Sequence, residues 1–460
     1  MTTAIDPVAR GMAANALARN SSNLMNGRIA AIGDSLTYAC ALPDAGSGGY
    51  YTMNTTGYLP WLTALSRGKF EAEPSLIKGV NGETATQIAA RYDVDIAPYY
   101  DQFDLLVIQA GPNDTYVRTP ALTSFNAIRQ MAEKALARGK VVVLLANMPR
   151  TYWGTGGGLL NGTQIAQAKK IAGELNQLLR NYQITRANVF FIDPWRDMVA
   201  AGDAVDGAPD SLILWDGLHV APRGAYRWAQ RFIDTIGALY PAGDRSQMQF
   251  DSWDPTDAPH GNLINNPNMN VTGAGGVVGT PNVTGNVPDG WNLQRYAGTS
   301  TAVAASNIAA SSGYNAQASK GVKIAPSVAA GATWFGGLSN SVTLPDKPAL
   351  ANQTVYAECE IAFNNLVNVV GLQLYLYYYN GSISVGPSFF NSGADLTTMN
   401  AYLEFPNGQP LLFRTPKFQL PSSFPAGSLL QFNLTINVNG LNATPASGDF
   451  TVRNAVIRRI

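Results

Sequence analysis

Residues 104–110, "DLLVIQA", form an almost continuously apolar run, and residues 140–146, "KVVVLLA", form a second one. Between them, residues 120–139 ("PALTSFNAIRQMAEKALARG") have the apolar periodicity of an amphipathic helix. Short runs without polar interruption are typical of strands that are covered on both faces. A strand, a helix and a second strand in this order predict a parallel pair joined by a crossover helix.

The same alternation extends on both sides of this unit, from about residue 27 to residue 240. Further apolar runs lie at 28–32, 75–80 and 188–193, and helical patterns at 162–182 and 223–240. Regular alternation predicts a parallel sheet with helices on both sides, a three-layer α/β/α fold. In such sheets ligands bind at the carboxyl ends of the strands. Any active site should therefore be built from residues that follow the strands.

The second half of the chain has a different composition. Beyond about residue 245 long helical periodicity disappears, and short runs that alternate apolar with polar residues are separated by Gly, Asn, Ser, Thr and Pro. This pattern predicts antiparallel strands and an all-β sandwich. The predicted organisation is a helical connector (1–26), an α/β domain (27–243), a linker (244–260) and a β-sandwich domain (261–460).

Composition excludes several classes of function. Charged residues make up 13% of the 460 residues, and the 31 Lys and Arg equal the 31 Asp and Glu, so there is no basic field to hold nucleic acid. No apolar run is long enough for a membrane span. The two cysteines, Cys40 and Cys359, lie too far apart in sequence to suggest a metal site. Two buried thiols are expected, with a disulfide between them as the alternative.

Four short motifs carry side chains suited to catalysis. Ser35 follows the first strand in "GDSL", Gly82 follows the second in "GVNGET", and Asn113 follows the third in "GPND"; Asp216 and His219 follow later in "WDGLH". Each motif has a simpler structural alternative, a capping serine or a turn. All four, however, fall at the same edge of the predicted sheet. Together they supply a nucleophile, a base, an acid that orients the base, and oxyanion donors, as acyl transfer requires.

In these motifs the chain resembles the SGNH (GDSL-type) hydrolases, whose four blocks occur here in order over residues 27–240. The resemblance implies a flavodoxin-like three-layer α/β/α fold. It also implies that Ser35 is the nucleophile, His219 the general base and Asp216 the residue that orients the imidazole. The oxyanion hole would be formed by the backbone N–H groups of Ser35 and Gly82 and by the side-chain amide of Asn113. "VNGET" departs from the usual, more glycine-rich second block. No metal or cofactor is required.

Other residues are weaker candidates for function. Tyr152, Trp153 and Trp215 could form a wall that binds a sugar or an acyl group, or they could simply pack in the fold. His260 recurs with three aspartates at intervals of three, but metal loops usually place their ligands two residues apart, and the prolines of this segment favour a linker.

The remaining segments resemble known modules. "NLINNPNMN" and "VPDGW", which open the β-rich half, are similar to the start of jelly-roll carbohydrate-binding domains. The N-terminal "AIDPVARGMAANALARN" is similar to helical connectors of bacteriophage tail proteins. These similarities imply a jelly-roll sandwich, sugar binding and a homotrimer. They also imply an extracellular or virion-associated location, reached without a classical signal peptide.

The sequence therefore predicts a serine esterase that deacetylates an O-acetylated polysaccharide. One alternative is a lipase or a general small-ester hydrolase, which would show a long apolar acyl groove. The other is a catalytically inert glycan- or receptor-binding virion protein. The complete set of Ser35, Asn113, Asp216 and His219 argues against inertness.

Overall fold

The structure is a computed structural model that describes residues 27–44, 50–150, 152, 154–155, 158–199, 213–240, 262–264, 266, 269, 276–279, 283–298, 302–308, 321–391, 405–439 and 447–460. The predicted N-terminal connector (1–26) and linker (244–260), which includes His260, lie outside these residues. The chain divides into two compact units, one of residues 1–41 and 55–243 and the other of residues 42–54 and 244–460. The sequence pattern predicts that residues 42–54 are part of the α/β domain, whereas in the structure they group with the second unit.

The first nine strands in chain order are β1 (Gly27–Gly33), β2 (Ala41–Asp44), β3 (Tyr50–Asn54), β4 (Phe70–Gly79), β5 (Leu105–Gln109), β6 (Val141–Leu145), β7 (Gly154–Thr155), β8 (Gly158–Leu159) and β9 (Val189–Ile192). Among the described residues, β1, β4, β5, β6 and β9 form a five-stranded sheet in the order β4-β1-β5-β6-β9. All of its strands are parallel. Counted along the chain this order is 2-1-3-4-5, the flavodoxin-like arrangement.

The helices of the first unit connect these strands. In chain order they are α1 (Ser35–Tyr38), α2 (Tyr58–Ser66), α3 (Ala85–Asp95), α4 (Pro112–Val117), α5 (Ala121–Leu136), α6 (Gly162–Ile184), α7 (Trp195–Met198) and α8 (Pro222–Ile236), with short 3₁₀ turns at Ala97–Tyr99 and Gly237–Leu239. Polar side chains begin two of the long helices. Gln87 accepts a hydrogen bond from the Thr84 backbone before α3, and Asn161 accepts one from the Gln164 backbone before α6.

The sheet is covered on both faces, so the unit has three layers. Successive residues of a strand point to opposite faces. Ala30 and Ile32 of β1 pack in one apolar core with α3, α5 and α6. On the other face α2 and α8 pack together, and Phe70 of β4 contacts Phe232 of α8 with ring centroids 5.4 Å apart. The α/β fold predicted for this part of the chain is confirmed.

The second unit consists of β-sheets. Its strands are β10 (Val277–Val278), β11 (Val283–Gly285), β12 (Asn292–Gly298), β13 (Ala302–Ile308), β14 (Gly321–Ser327), β15 (Thr333–Thr343), β16 (Thr354–Val367), β17 (Val369–Tyr379), β18 (Ser384–Val385), β19 (Ser388–Asn391), β20 (Pro410–Arg414), β21 (Phe418–Gln419), β22 (Leu429–Asn439) and β23 (Ser447–Arg459). A 3₁₀ turn (Pro348–Leu350) separates β15 from β16.

Within the described residues these strands form two large sheets. One runs β10-β12-β15-β22-β17-β19-β3-β2, with β18 beside β17, and the other runs β11-β13-β14-β23-β16-β20, with β21 beside β16. Phe389 and Phe390 of β19 contact Phe413 of β20, so side chains of the two sheets pack against each other. The prediction of a β-rich second half is confirmed.

Both cysteines are buried free thiols, as predicted. Across the described part of the chain, no helix is long and apolar enough to cross a membrane.

Candidate active site

Ser35 lies at the carboxyl end of β1, at the start of the short helix α1. Asp34 caps this helix, and its Oδ1 accepts a hydrogen bond of 3.0 Å from the Leu36 backbone N–H. The simpler interpretation of "GDSL", in which Ser35 is the cap, is therefore wrong. Gly33 permits the tight turn, because a Cβ there would lie 2.3 Å from Thr37 Oγ1 and 2.5 Å from the Gln109 carbonyl. The hydroxyl of Ser35 is thus partly exposed at the edge where the other motifs lie.

Asp216 and His219 lie on a tight loop that an antiparallel bridge between Leu214 and Val220 closes. The backbone N–H of Trp215 donates to the His219 carbonyl at 3.0 Å. Asp216 Oδ1 accepts from the backbone N–H groups of Leu218 and His219, at 2.9 and 2.6 Å. The carboxylate is consequently fixed by the backbone of its own loop before it meets the imidazole.

Ser35, His219 and Asp216 form a continuous hydrogen-bonded chain. His219 Nε2 lies 2.8 Å from Ser35 Oγ, and His219 Nδ1 lies 2.6 Å from Asp216 Oδ2. An Nδ1–H donated to Asp216 leaves Nε2 as the acceptor for the serine hydroxyl. Partial burial would raise the pKa of the Asp216 carboxyl, but the hydrogen bonds from the His219 ring and from the backbone of His219 and Leu218 lower it overall. The carboxylate therefore stays charged where it faces the imidazole.

Asn113 lies at the start of α4, after β5, and its side chain reaches the other motifs. Its Nδ2 donates to the Glu83 carbonyl at 2.9 Å and contacts Asp34 Oδ2 at 3.4 Å. The first contact ties Asn113 to the turn that contains Gly82, whose φ of +80° favours glycine. The second ties it to the residue before Ser35. The structure thus brings together the three positions assigned to the oxyanion hole.

Two side chains of the site had no role in the sequence analysis, Asp34 and Gln109. Gln109 Nε2 donates to Asp34 Oδ2 at 3.3 Å, and Gln109 Oε1 accepts from the Asp34 backbone N–H. Burial raises the pKa of the Asp34 carboxyl to about 7, although hydrogen bonds from Leu36 and Gln109 and the nearby His219 oppose the shift. A glutamine that ends an otherwise apolar strand is the signal in the sequence that could have indicated this network.

Arg150, after β6, also belongs to this edge of the sheet. Its guanidinium donates to the Pro112 carbonyl at 3.2 Å. Burial lowers the pKa of Arg150 to about 10, and the charge of Asp34 opposes that shift. With Asn147, Pro112 and Leu218, Arg150 lines a small cavity.

The predicted aromatic wall is only partly described. The Trp215 ring stacks on the His219 ring, with centroids 5.8 Å apart and planes inclined by 22°, and is 46% exposed. Tyr152 is 42% exposed, and its backbone N–H donates to the Gly217 carbonyl of the same loop. Trp153 lies outside the described residues. The Trp215 ring thus lies on the imidazole of His219, and the backbone of Tyr152 lies beside the loop that carries Asp216 and His219.

No metal centre is found in the described part of the chain, where no group of three or more His, Cys, Asp or Glu side chains is placed to hold an ion. Asp114, next to Asn113, is buried and structural. Its Oδ2 accepts from the Ala85 backbone at the start of α3, and its Oδ1 accepts from the Ser124 hydroxyl.

Comparison with solved structures gives several similar chains at low identity. A lipolytic protein of the G-D-S-L family from Desulfitobacterium hafniense is 18% identical, with 46% of this chain and 99% of that chain covered and a TM-score of 0.34. A GDSL-like lipase from Bacteroides thetaiotaomicron is 17% identical (50% and 98% covered, TM-score 0.33). A catalytic mutant of an acetylxylan esterase from Geobacillus stearothermophilus is 16% identical (46% and 95% covered, TM-score 0.34).

No curated protein matches the sequence. Residues 31–227 match the family described as GDSL-like lipase/acylhydrolase, and this range contains Ser35, Gly82, Asn113, Asp216 and His219. Over residues 31–227 the first unit is therefore similar to the GDSL-like lipase/acylhydrolase family.

Proposed function

We propose that the first unit is a serine esterase that removes acetyl groups from an O-acetylated polysaccharide through an acyl-Ser35 intermediate. The observation that carries the proposal is the hydrogen-bonded chain from Ser35 Oγ through His219 to Asp216 Oδ2. The match of residues 31–227 to this family supports carboxylic ester hydrolysis in general. The acetyl group and the polysaccharide are the finer part of the proposal.

The geometry supports a two-step reaction. His219 Nε2 takes the proton of Ser35 Oγ as this oxygen attacks the ester carbonyl, and Asp216 stabilises the imidazolium that forms. The protonated His219 then gives its proton to the departing alcohol, which leaves the acyl group on Ser35. A water molecule, deprotonated by the same nitrogen, attacks the acyl carbon, releases the carboxylic acid and restores the Ser35 hydroxyl.

The oxyanion of both tetrahedral intermediates needs donors on the side away from His219. Asn113 carries two N–H groups on Nδ2. The one that donates to the Glu83 carbonyl at 2.9 Å fixes the amide, whereas the 3.4 Å contact with Asp34 is longer than an ordinary hydrogen bond. The second N–H group is thus free to turn to a developing oxyanion. The backbone N–H groups of Ser35 and Gly82 are the other proposed donors.

The surroundings of the triad favour a polar, polymeric substrate. The side chains of His219 and Asp216 are 28% and 30% exposed, and Trp215 presents an amphipathic ring that stacks on His219. A small cavity nearby is lined by Pro112 and Leu218, which precede Asn113 and His219 in sequence.

The test measures acetate release from p-nitrophenyl acetate and from an acetylated polysaccharide such as acetylated xylan. The wild type is expected to release acetate from both, and Ser35→Ala to lose at least about 10³-fold in kcat. Asp216→Asn should lose about 10²–10⁴-fold, because the wrong imidazole tautomer is favoured. Asp104→Asn is the matched control, since Asp104 pairs with Arg28 at the opposite ends of β1 and β5.

Each result has a distinct meaning. Turnover of the small ester without release from the polymer would leave a general esterase and remove the polysaccharide from the proposal. Preference for long-chain esters would favour a lipase. If wild type and Ser35→Ala were equally inactive on every ester, the fold would be an inert scaffold, as in a receptor-binding protein.

A further inference from the structure

One face of the eight-strand path in the second unit carries an unusual set of side chains. Inward-facing residues such as Trp334, Leu434 and Leu376 are buried. Facing the other way, the neighbouring strands β12, β15, β22 and β17 present the residues that we call the tyrosine face: Tyr296, Phe335, Tyr375, Tyr377, Gln431 and Asn433. Tyr296 is 44% and Phe335 37% exposed, and Tyr375 and Tyr377 are partly exposed.

Strand register brings these residues together. Asn433 of β22 lies directly opposite Ser339 of β15 on one side and Tyr375 of β17 on the other. Gln431 lies opposite Ser341 and Tyr377 in the same way. Because side chains of directly opposite residues share a face, the amides of β22 form a floor between the rings of β17 and those of β12 and β15.

The rings form two pairs, one on each side of the Gln431 and Asn433 amides. The centroids of Tyr296 and Phe335 are 5.5 Å apart with planes at 63°, and those of Tyr375 and Tyr377 are 5.3 Å apart with planes at 34°. The Tyr296 hydroxyl donates to Asn433 Oδ1 at 3.4 Å. Burial raises the pKa of the Tyr377 hydroxyl, and Tyr296 and Tyr375 raise it further, so the two pairs lie within electrostatic reach of each other.

Gly337 on β15 makes room for this arrangement. A Cβ at this position would lie 2.5 Å from Asn433 Oδ1 and 2.9 Å from the Tyr296 hydroxyl. Any larger residue would push the tyrosine and the amide away from the sheet. The missing side chain therefore allows the Tyr296 hydroxyl to approach the strand and meet the floor.

The chemistry of the tyrosine face selects its ligand. Tyrosine rings offer apolar surfaces with a polar edge, and amides offer both donors and acceptors. None of the six side chains is charged, and neither are Ser339 and Ser341, which lie opposite the floor. None of these side chains offers a counter-charge to an ionic ligand. The Gln431 amide donates to Ser341 Oγ and Asn433 Oδ1 accepts from Tyr296, and an apolar ligand would cover the other hydrogen-bonding groups of both amides without pairing them. A chain of uncharged sugars fits both the rings and the amides. Its C–H groups can pack on the aromatic rings, and its hydroxyl groups can hydrogen-bond with the amides.

We propose that the tyrosine face is a binding site for a neutral polysaccharide chain. This inference rests on the proposed function, since it supplies a polymer for the esterase of the first unit. The second unit would hold the enzyme on the polymer, so that many esters are met during one binding event.

The test uses the full chain with Ser35→Ala, which binds substrate without consuming it. This protein is applied to immobilised neutral polysaccharides (xylan, glucomannan, galactomannan and dextran) and acidic ones (alginate and polygalacturonate). Binding to at least one neutral polymer is expected, and titration with that polymer should show that Tyr296→Ala and Tyr377→Ala each weaken affinity at least about fivefold. Tyr356→Ala, on β16 of the other large sheet, is the matched control and should bind normally.

A second variant distinguishes a loss of polymer binding from a loss of folding. Ser341→Lys removes no ring but puts a long, charged side chain beside Gln431, so it should abolish polymer binding without unfolding the chain. In otherwise wild-type protein all of these variants should hydrolyse p-nitrophenyl acetate normally, because none lies in the catalytic unit.

Three outcomes would overturn the inference: no polymer is bound, only acidic polymers are bound, or the tyrosine variants bind as tightly as their parent. A fourth concerns self-association. If size-exclusion chromatography showed that Ser341→Lys dissociates an oligomer while polymer binding is unchanged, the face would be a contact between copies of the chain. Binding is scored without turnover, so an inactive wild type would refute the esterase proposal and leave this result interpretable.

Discussion

At the scale of single residues, Asp34 is the side chain that links the parts of the candidate site. It caps the helix that begins with Ser35, accepts from Gln109, and contacts the Asn113 amide. Its carboxyl group is completely buried, so its negative charge is costly although several donors surround it. Burial raises the pKa of this carboxyl from 3.8 to about 7. A buried carboxyl with a raised pKa at a catalytic site is expected to favour activity at the expense of stability.

Replacement of Asp34 by Asn should show this cost as a function of pH. The folded chain holds the Asp34 proton up to about pH 7, whereas the unfolded chain releases it near pH 3.8, so wild-type stability is lost as pH rises through that interval. Relative to wild type, Asp34→Asn should therefore gain stability between about pH 4 and 7, on the order of 2–4 kcal/mol, and no more above it. Urea unfolding of both proteins across this range checks the prediction, and a difference that is constant with pH would contradict it.

Asn113 provides a complementary prediction, in which activity changes and stability does not. Asn113→Ala should lower kcat on p-nitrophenyl acetate by about 10²–10³-fold, because one oxyanion donor is lost. Its amide is only partly buried and makes few contacts, so the unfolding midpoint should shift little. Near-normal turnover by a folded variant would show that the oxyanion is stabilised elsewhere.

The sequence predicted the proximity of Ser35, Asn113, Asp216 and His219 because each follows a strand, and parallel strands end at one edge of the sheet. It did not predict the contact of Asp34 with Asn113 or the stacking of Trp215 on His219. Those contacts depend on the direction of individual side chains after the turn, and periodicity carries no information about that direction.

At the scale of elements, Arg91 of α3 holds the carboxyl ends of two strands together. Its Nη2 donates to the Gly33 carbonyl at the end of β1, at 2.8 Å, and to the Lys78 carbonyl of β4, at 3.0 Å. Its other nitrogens pair with Glu83 and Asp95. The same guanidinium thus links the turn before Ser35 to the turn whose carbonyl fixes Asn113.

Arg91→Met keeps the length of the side chain and removes these bonds. It should destabilise the first unit by about 2–3 kcal/mol and lower kcat as well, because the two turns can then move apart. Arg91→Lys retains the charge but cannot reach all four partners at once, so an intermediate effect on both is expected. Urea unfolding and p-nitrophenyl acetate turnover measure the two effects. A Met variant that is less stable yet fully active would limit Arg91 to a structural role.

The central elements were easier to predict than those at the margins. β5 and β6 are buried on both faces, so their sequences are apolar throughout and their predicted bounds differ by one residue at each end. β4 lies at the edge of the sheet and begins at Phe70, five residues before the predicted run, because its first half alternates buried and partly buried residues. The helix α2 (Tyr58–Ser66) was not predicted, since all nine of its residues are buried and it lacks an amphipathic pattern.

At the scale of the whole molecule, the chain leaves the first unit once within its sequence. After Ala41 it enters the second unit, contributes β2 and β3 to the large sheet that contains β19, and returns at Thr55. Thr52 of β3 is paired with Ser388, more than three hundred residues later. Short strands with partners so distant in sequence have no local signal, so residues 42–54 were predicted to be part of the α/β domain.

Residues 42–54, which we call the excursion, determine how the first unit can be isolated. A fragment of residues 27–243 would retain β2 and β3 without the strand that pairs with β3, and would expose the otherwise buried Met53. Unpaired strands with apolar residues promote aggregation, so we expect this fragment to be poorly soluble. The two ends of the excursion, however, lie close together, since a Cβ on Gly57 would be 2.4 Å from Cys40 Cα.

Replacement of residues 42–54 in that fragment by a linker of about four Gly and Ser residues should therefore restore a soluble unit. Its parallel sheet and its helices lie entirely outside the replaced segment, as do Ser35, Asn113, Asp216 and His219. We expect p-nitrophenyl acetate turnover close to that of the full chain, with circular dichroism and size-exclusion chromatography as checks on folding. A folded but inactive fragment beside an active full chain would mean that the second unit, or the excursion itself, completes the catalytic site.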